Sequence, residues 1–162
     1  MSDYYTEQLV KQKTKMTSIM AKVGLIAATV LSFFFIFIFP MAIILPVIMI
    51  VLDMFMFKRM DLEFEYLYVN GDLDIDKIMG RQKRKKVFET NVRNMEVIAP
   101  TGSIELQQYQ RTKTYDFSSG TEGAKTYELV TVENGQTVKI IFEPNQTILE
   151  GMKMLAPRKV FI

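Results

Sequence analysis

The chain alternates between three patterns of apolar and polar positions. From Val23 to Phe57 it reads VGLIAATVLSFFFIFIFPMAIILPVIMIVLDMFMF, 35 residues with one formal charge, Asp53. A helix buried in a soluble core keeps a polar face, and this block has none. One bilayer crossing takes roughly 20 apolar residues, so the block is long for one crossing and just sufficient for two. Pro40 divides it. The residue before a proline is pushed out of helical geometry, and proline itself suits the first turn of a helix. The pattern predicts helices over about 17–39 and 41–57 with a tight turn at Phe39–Pro40. Pro46 either kinks the second helix or marks where its regular part begins.

After the block the period changes from helical to two. Leu62 to Asn70 places Leu62, Phe64, Tyr66 and Tyr68 on one face, and Glu63 and Glu65 on the other. Asn70–Gly71 is a two-residue hairpin signal. Asp72 to Met79 alternates again, with Leu73, Ile75 and Lys77 inward, and Gly80–Arg81 breaks it. Lys83 to Thr90 completes a three-stranded meander. Asn91 to Met95 reads as a turn of helix capped by Asn91, and Glu96 to Ala99 as a strand ended by Pro100–Gly102. Ser103 to Gln110 fits strand or helix, and the stretch through Ala124 reads as a loop. Strands at 125–133 and 136–142 flank a second hairpin signal, Asn134–Gly135. A helix then starts at Pro144–Asn145 with Asn145 as cap, a stripe of Ile148, Leu149, Met152 and Leu155, a weak point at Gly151 and a stop at Pro157. Val160 to Ile162 either adds a short strand or simply packs.

Charge adds a direction. Lys11, Lys13, Lys15 and Lys22 precede the block; Lys58, Arg59, Arg81, Lys83, Arg84, Lys85 and Lys86 follow it. Basic flanks favour the cytoplasmic side, and two basic flanks require an even number of crossings. The expected layout is a cytoplasmic segment 1–16, a transmembrane hairpin 17–57 and a cytoplasmic domain 58–162, in the cell membrane with both termini inside. A single tilted span and a re-entrant hairpin are the alternatives. The apolar region is too long for a signal peptide, and no small-residue cleavage site follows it. Residues 1–22 suit either a weakly amphipathic segment on the membrane surface or a solvated tail. Asp53 is expected either near the interface or paired with Lys58 or Arg59; an ionisable group in a span is also a functional candidate.

Composition narrows the chemistry. The chain has no His, Cys or Trp. That removes the commonest general base, the thiol nucleophile, disulfides and nearly every zinc site. No phosphate-binding, dinucleotide-binding or nucleophile-elbow motif occurs. Asp72, Asp74 and Asp76 begin like a calcium loop, but Lys77 and Lys83 stand where that loop needs Gly and Glu. These acids are expected to face the 83–86 basic run across a hairpin. Residues 58–162 hold 16 basic and 15 acidic side chains, and no nucleic-acid motif accompanies the basic run. No catalytic residue, cofactor or metal is expected, and no nucleic-acid partner. The expected contact set is Lys58, Arg59, Arg81, Lys83, Arg84, Lys85 and Lys86, for anionic lipid headgroups or another membrane protein.

Several antiparallel strands closed by one C-terminal helix is an α+β, mainly β arrangement. The segment Tyr66–Ile98 resembles the bacterial PH-like pattern: Tyr66 and Tyr68 before Gly71, a break at Gly80, a basic Arg84–Lys85–Lys86 run, and a polar turn into Val97–Ile98. The stretches EYLYVNGDLDIDKIMG (65–80), KIIFEPN (139–145) and APRKVF (156–161) are similar to those of a family of Clostridia-type bacterial membrane proteins. The resemblance implies a membrane helical hairpin joined to a PH-like antiparallel barrel or sandwich with a capping helix. It implies a layout and no activity. The functional expectation is a non-catalytic, membrane-anchored interaction or scaffolding module in contact with anionic lipid. The alternative is an accessory subunit of a transport or secretion complex.

Overall fold

The computed structural model describes residues 4–162. The chain divides into two compact units. One comprises Met1–Gln12, Glu63–Ile78 and Arg84–Ile162; the other comprises Lys13–Leu62 and Met79–Lys83.

The second unit is the apolar hairpin. Helix α1 spans Met16–Ile38 and helix α2 spans Ile44–Met60, joined by a 3-10 turn at Pro40–Ile43. Phe39 is extended, as a residue before proline must be. Pro46 falls in the first turn of α2, where a missing N–H costs nothing. It marks where the regular helix begins. The segments Met16–Ile38 and Pro40–Met60 are long and apolar enough to cross a membrane. Their outward side chains, Phe33, Phe34, Phe37 and Met41 among them, are exposed.

The other unit holds two four-stranded sheets and a helix. Strands β1 (Tyr5–Lys11), β2 (Leu62–Val69), β3 (Asp72–Met79) and β4 (Lys83–Asn91) lie in that order in the first sheet. In the second sheet β5 (Met95–Pro100), β7 (Tyr127–Glu133), β8 (Gln136–Phe142) and β6 (Lys113–Asp116) lie in the order β5-β7-β8-β6. Both Asn-Gly pairs turn as their chemistry requires. Asn70 and Gly71 have φ of 49° and 105°, and Asn134 and Gly135 of 50° and 77°, the left-handed geometry of tight hairpins. Helix α3 spans Gln146–Leu155, and the Asn145 carboxamide accepts the Ile148 N–H at 2.9 Å. Tyr66, Tyr68, Leu73, Ile75, Leu129, Ile140, Phe142, Ile148 and Met152 pack one core between the two sheets and α3.

Several expectations are corrected. Residues 5–11 are neither a surface segment nor a tail but a strand. β1 pairs antiparallel with β2 from Tyr5↔Val69 to Lys11↔Glu63, and Val10 is buried. The Gln8 carboxamide fixes this strand to the chain ahead of α3, donating to the Glu143 carbonyl and accepting from Asn145 N–H, both at 2.7 Å. Asn91 begins a β-turn and not a helix: its side chain accepts from Arg93 N–H and its carbonyl from Asn94 N–H. In β3 the alternation slips after Ile75, so Ile78 is buried and Lys77 only half-buried. Leu155 leaves the buried stripe and is half exposed. The open choice at Ser103–Gln110 goes to a 3-10 helix over 104–109, and the stretch read as a loop holds β6, which runs parallel to β8. Val160 makes an isolated bridge to Ile98.

Candidate functional site

The basic residues singled out by the sequence fall into two groups. The first gathers where the β3–β4 turn meets the end of α2, all within the hairpin unit. Gly80 and Arg81 both have φ of 57°, the left-handed pair of a two-residue hairpin turn. Gly80 N–H donates to the Asp61 carbonyl at 2.8 Å. A Cβ on Gly80 would come within 2.8 Å of the Lys58 carbonyl oxygen, so only glycine allows the turn this close.

This docking places Lys83 beside Lys58 and Arg59 around a cavity of about 640 Å³. Ligand sites commonly measure roughly 300–1,000 Å³. Phe55 and Met79 give it apolar walls, and Gly80 and Gln82 complete it. Its described lining holds three cations and no carboxylate. Lys58 and Arg59 occupy the last turn of α2, where their charge complements the negative end of the helix dipole. The Arg59 guanidinium stacks on Phe55, 4.4 Å from the ring centroid. That occupies one face of the guanidinium plane and leaves its in-plane N–H donors to reach an acceptor.

The second group lies on the first sheet and is committed to carboxylates. Arg84 Nη2 is 2.8 Å from Glu65 Oε1, and its Nε is 4.0 Å from Asp76 Oδ2. Lys86 Nζ is 2.8 Å from Asp74 Oδ2 and 3.0 Å from Glu89 Oε2. Asp74 and Asp76 thus face the basic run as the hairpin reading expects. The two hydrogen bonds to Lys86 hold its ammonium well above the ordinary lysine range. Lys85 is exposed between them. The structure therefore brings Lys58, Arg59 and Lys83 together, and places Arg84 and Lys86 on the sheet.

A family model described as a bacterial PH-like domain, DUF6106, matches residues 2–162. The chain belongs to this bacterial PH-like family. No curated protein and no solved structure matches it. Two sheets with a C-terminal helix are consistent with a PH-like α+β fold.

In this PH-like chain two further polar features depart from the sequence reading. Glu65 is almost completely buried, because β1 covers its side of the sheet. Desolvation first, then a hydrogen bond with Glu7, raises its carboxyl above the ordinary range, while Arg84 opposes the rise. Glu7 is held low by the same bond and by the Tyr5 hydroxyl, which donates to it at 3.0 Å. Arg84→Met is therefore expected to cost about 1–2 kcal/mol near neutral pH, the low end for a bond to a charged group because Arg84 is mostly exposed. The sign with pH follows from Glu65. A carboxyl raised in the folded state stabilises at low pH, and that contribution is lost as pH rises through the folded value. Removing Arg84 raises it further, so the penalty should shrink between about pH 7 and pH 4. Urea unfolding at the two pH values measures it; an equal penalty at both would rule out the Glu65 account.

The second feature corrects the expectation for Asp53. It pairs with neither Lys58 nor Arg59. The Thr29 hydroxyl donates to Asp53 Oδ2 at 2.5 Å across the two helices and lies 3.0 Å from the Leu25 carbonyl. Asp53 Oδ1 is buried with no partner among the described residues. Lys58 lies five residues beyond Asp53, nearly one and a half turns, so Asp53 faces α1 while Lys58 and Arg59 are exposed.

Proposed function

We propose that this PH-like chain is a non-catalytic interaction or scaffolding module anchored in the cell membrane by its helical hairpin. Both termini are cytoplasmic, and its basic residues at 58–59 and 81–86 contact anionic lipid. The observation that carries the reading is the pairing of Lys11 with Glu63. The strand before α1 and the strand after α2 are direct neighbours in one sheet, so the chain leaves that sheet at residue 11 and returns to it at residue 63. A segment whose two ends are neighbours must start and finish on the same side of a bilayer. That requires two crossings or none, and agrees with the lysines and arginines on both flanks. By length, α1 with 23 residues rises roughly 34 Å and α2 with 17 roughly 26 Å, against a hydrocarbon core of about 30 Å. PH-like domains are in general interaction modules, which favours a non-catalytic role.

The absence of cysteine makes a clean test possible. Single variants Thr14→Cys, Met41→Cys and Lys125→Cys are labelled in intact cells with a membrane-impermeant maleimide. Met41→Cys should label from outside, and the other two only after permeabilisation. Labelling of Lys125→Cys in intact cells would sink the proposed orientation. A protected Met41→Cys in a chain that resists alkaline extraction would replace the two crossings with a re-entrant hairpin. Crosslinking in native membranes that recovers one stoichiometric membrane partner would move the function to an accessory subunit.

A further inference from the structure

Resting on that anchored reading, we infer that the cavity between the end of α2 and the β3–β4 turn is a binding site for one anionic phospholipid headgroup, held by Lys58, Arg59 and Lys83. Three observations combine. The first is charge: three cations and no carboxylate among the described lining residues. A zwitterionic choline headgroup would bring its own ammonium against these cations, whereas a headgroup whose only charge is the phosphodiester would not. The Arg59 fork, stacked on Phe55, is suited to two phosphate oxygens, and the two lysines act as point charges.

The second is amphipathy. Phe55 and Met79 line the same cavity. A free phosphate gains nothing from them, but the glycerol backbone and first methylenes of a lipid do. From Phe55 the exposed side chains Met54, Leu52, Val51 and Ile48 continue along α2, an apolar track for acyl chains beginning at the cavity. Basic pockets at the cytoplasmic ends of membrane helices are suited to anionic headgroups.

The third is selection among the cations. Arg84 and Lys86 are drawn into carboxylate pairs on the first sheet, so the lipid contact narrows from the whole 81–86 run to its first part. Docking of Gly80 on the Lys58 and Asp61 carbonyls holds Lys83 against the helix end before any ligand arrives. A site formed in advance loses less ordering entropy on binding.

The test uses the full chain in nanodiscs and, after extraction, native mass spectrometry with phosphatidylglycerol and phosphatidylcholine as probes. The wild type should retain phosphatidylglycerol in preference to phosphatidylcholine. Each surface cation contributes roughly fivefold to binding, so Lys58→Gln, Arg59→Gln and Lys83→Gln together should weaken phosphatidylglycerol retention by roughly a hundredfold. Lys83→Gln alone, an exposed position that leaves the hairpin sequence intact, should weaken it by roughly fivefold. A control with Arg111→Gln, Lys125→Gln and Lys153→Gln removes the same charge elsewhere and should change it by less than about twofold. Equal loss in the control would reduce the effect to net charge and overturn the site. Wild type that inserts but shows no preference between the lipids would also overturn it, leaving the anchored module standing. A chain that fails to insert defeats the anchored reading itself. Glycerol 3-phosphate competing as strongly as the lipid would assign the cavity to a soluble phosphate and overturn the lipid.

Discussion

Replacing Gly151 with alanine is expected to destabilise the β domain, although alanine is the better helix former. Gly151 lies inside α3, where the substitution alone should gain up to about 1 kcal/mol. Packing reverses the sign. A Cβ at this position would stand 2.6 Å from Tyr68 Cε1 and closer still to the Tyr4 ring. Tyr4 cannot move aside freely. Its hydroxyl donates to the Thr147 carbonyl at 2.6 Å, and its N–H donates to the Asn70 side chain at 2.9 Å. Tyr68 is fully buried and meets Tyr4 edge-on at 5.9 Å. Overpacking of this kind costs about 1–3 kcal/mol, which outweighs the propensity gain. Gly151→Leu should cost more than about 3 kcal/mol, a large part of the 5–15 kcal/mol that holds a typical domain. Urea unfolding in micelles, followed by the seven tyrosines, measures it. Combining Gly151→Ala with Tyr4→Ala should return part of the loss, because the two residues compete for one space. A rise in stability for Gly151→Ala would refute the packing account.

That glycine shows where reading by pattern stops. Period-two alternation located β2 and much of β3, and Asn-Gly dipeptides located two turns, because these signals are local. The stripe of α3 was equally visible. Gly151 read only as a weakness, since its reason lies in two rings brought in by β1 and β2. β1 itself was illegible for the same cause. YTEQLVK carries few apolar residues, and it is a strand only because the edge of β2 receives it, with Gln8 bonded to the Glu143 carbonyl and Val10 buried. Once β1 is in place, Glu65 becomes buried; without β1 it reads as an outward residue on an alternating strand.

The candidate site was legible in the same partial way. All three cavity cations stood out by charge, but they stood in one set with Arg84 and Lys86. Separation depends on facts that spacing does not carry. Cross-strand carboxylates take Arg84 and Lys86, and the Gly80 turn docks on the helix end. Gly80–Arg81 was the available signal. A Gly at a two-residue turn marks both left-handed geometry and room for close backbone approach, and here the approach is to α2. For Asp53 the nearer-in-sequence partners Lys58 and Arg59 misled, because Thr29 lies 24 residues away and faces it only after the hairpin closes.

Tyr66 and Tyr68 should respond oppositely to the same substitution, although they are two residues apart on one strand and both fully buried. The Tyr66 hydroxyl donates to the Phe117 carbonyl at 2.6 Å and accepts Glu143 N–H at 3.3 Å. It ties the loop after β6 to the end of β8, and burial raises its ionisation well above the ordinary tyrosine range. Tyr66→Phe leaves that carbonyl and that N–H without their partner, at about 1–3 kcal/mol. Tyr66→Ala adds a cavity beside Phe142, whose ring it meets edge-on at 5.6 Å, and should cost about 3–5 kcal/mol. The Tyr68 hydroxyl is buried with no partner among the described residues, and its ionisation is pushed up to about 12, chiefly by the same desolvation. Removing an unpaired buried hydroxyl removes a cost, so Tyr68→Phe should be neutral or stabilising, up to about 1 kcal/mol. Its ring still packs under Tyr4 and Gly151 either way. Equilibrium unfolding of the two phenylalanine variants side by side decides the point. Equal losses for both would mean that ring packing alone, and not the Tyr66 hydrogen bonds, sets the stability of this core.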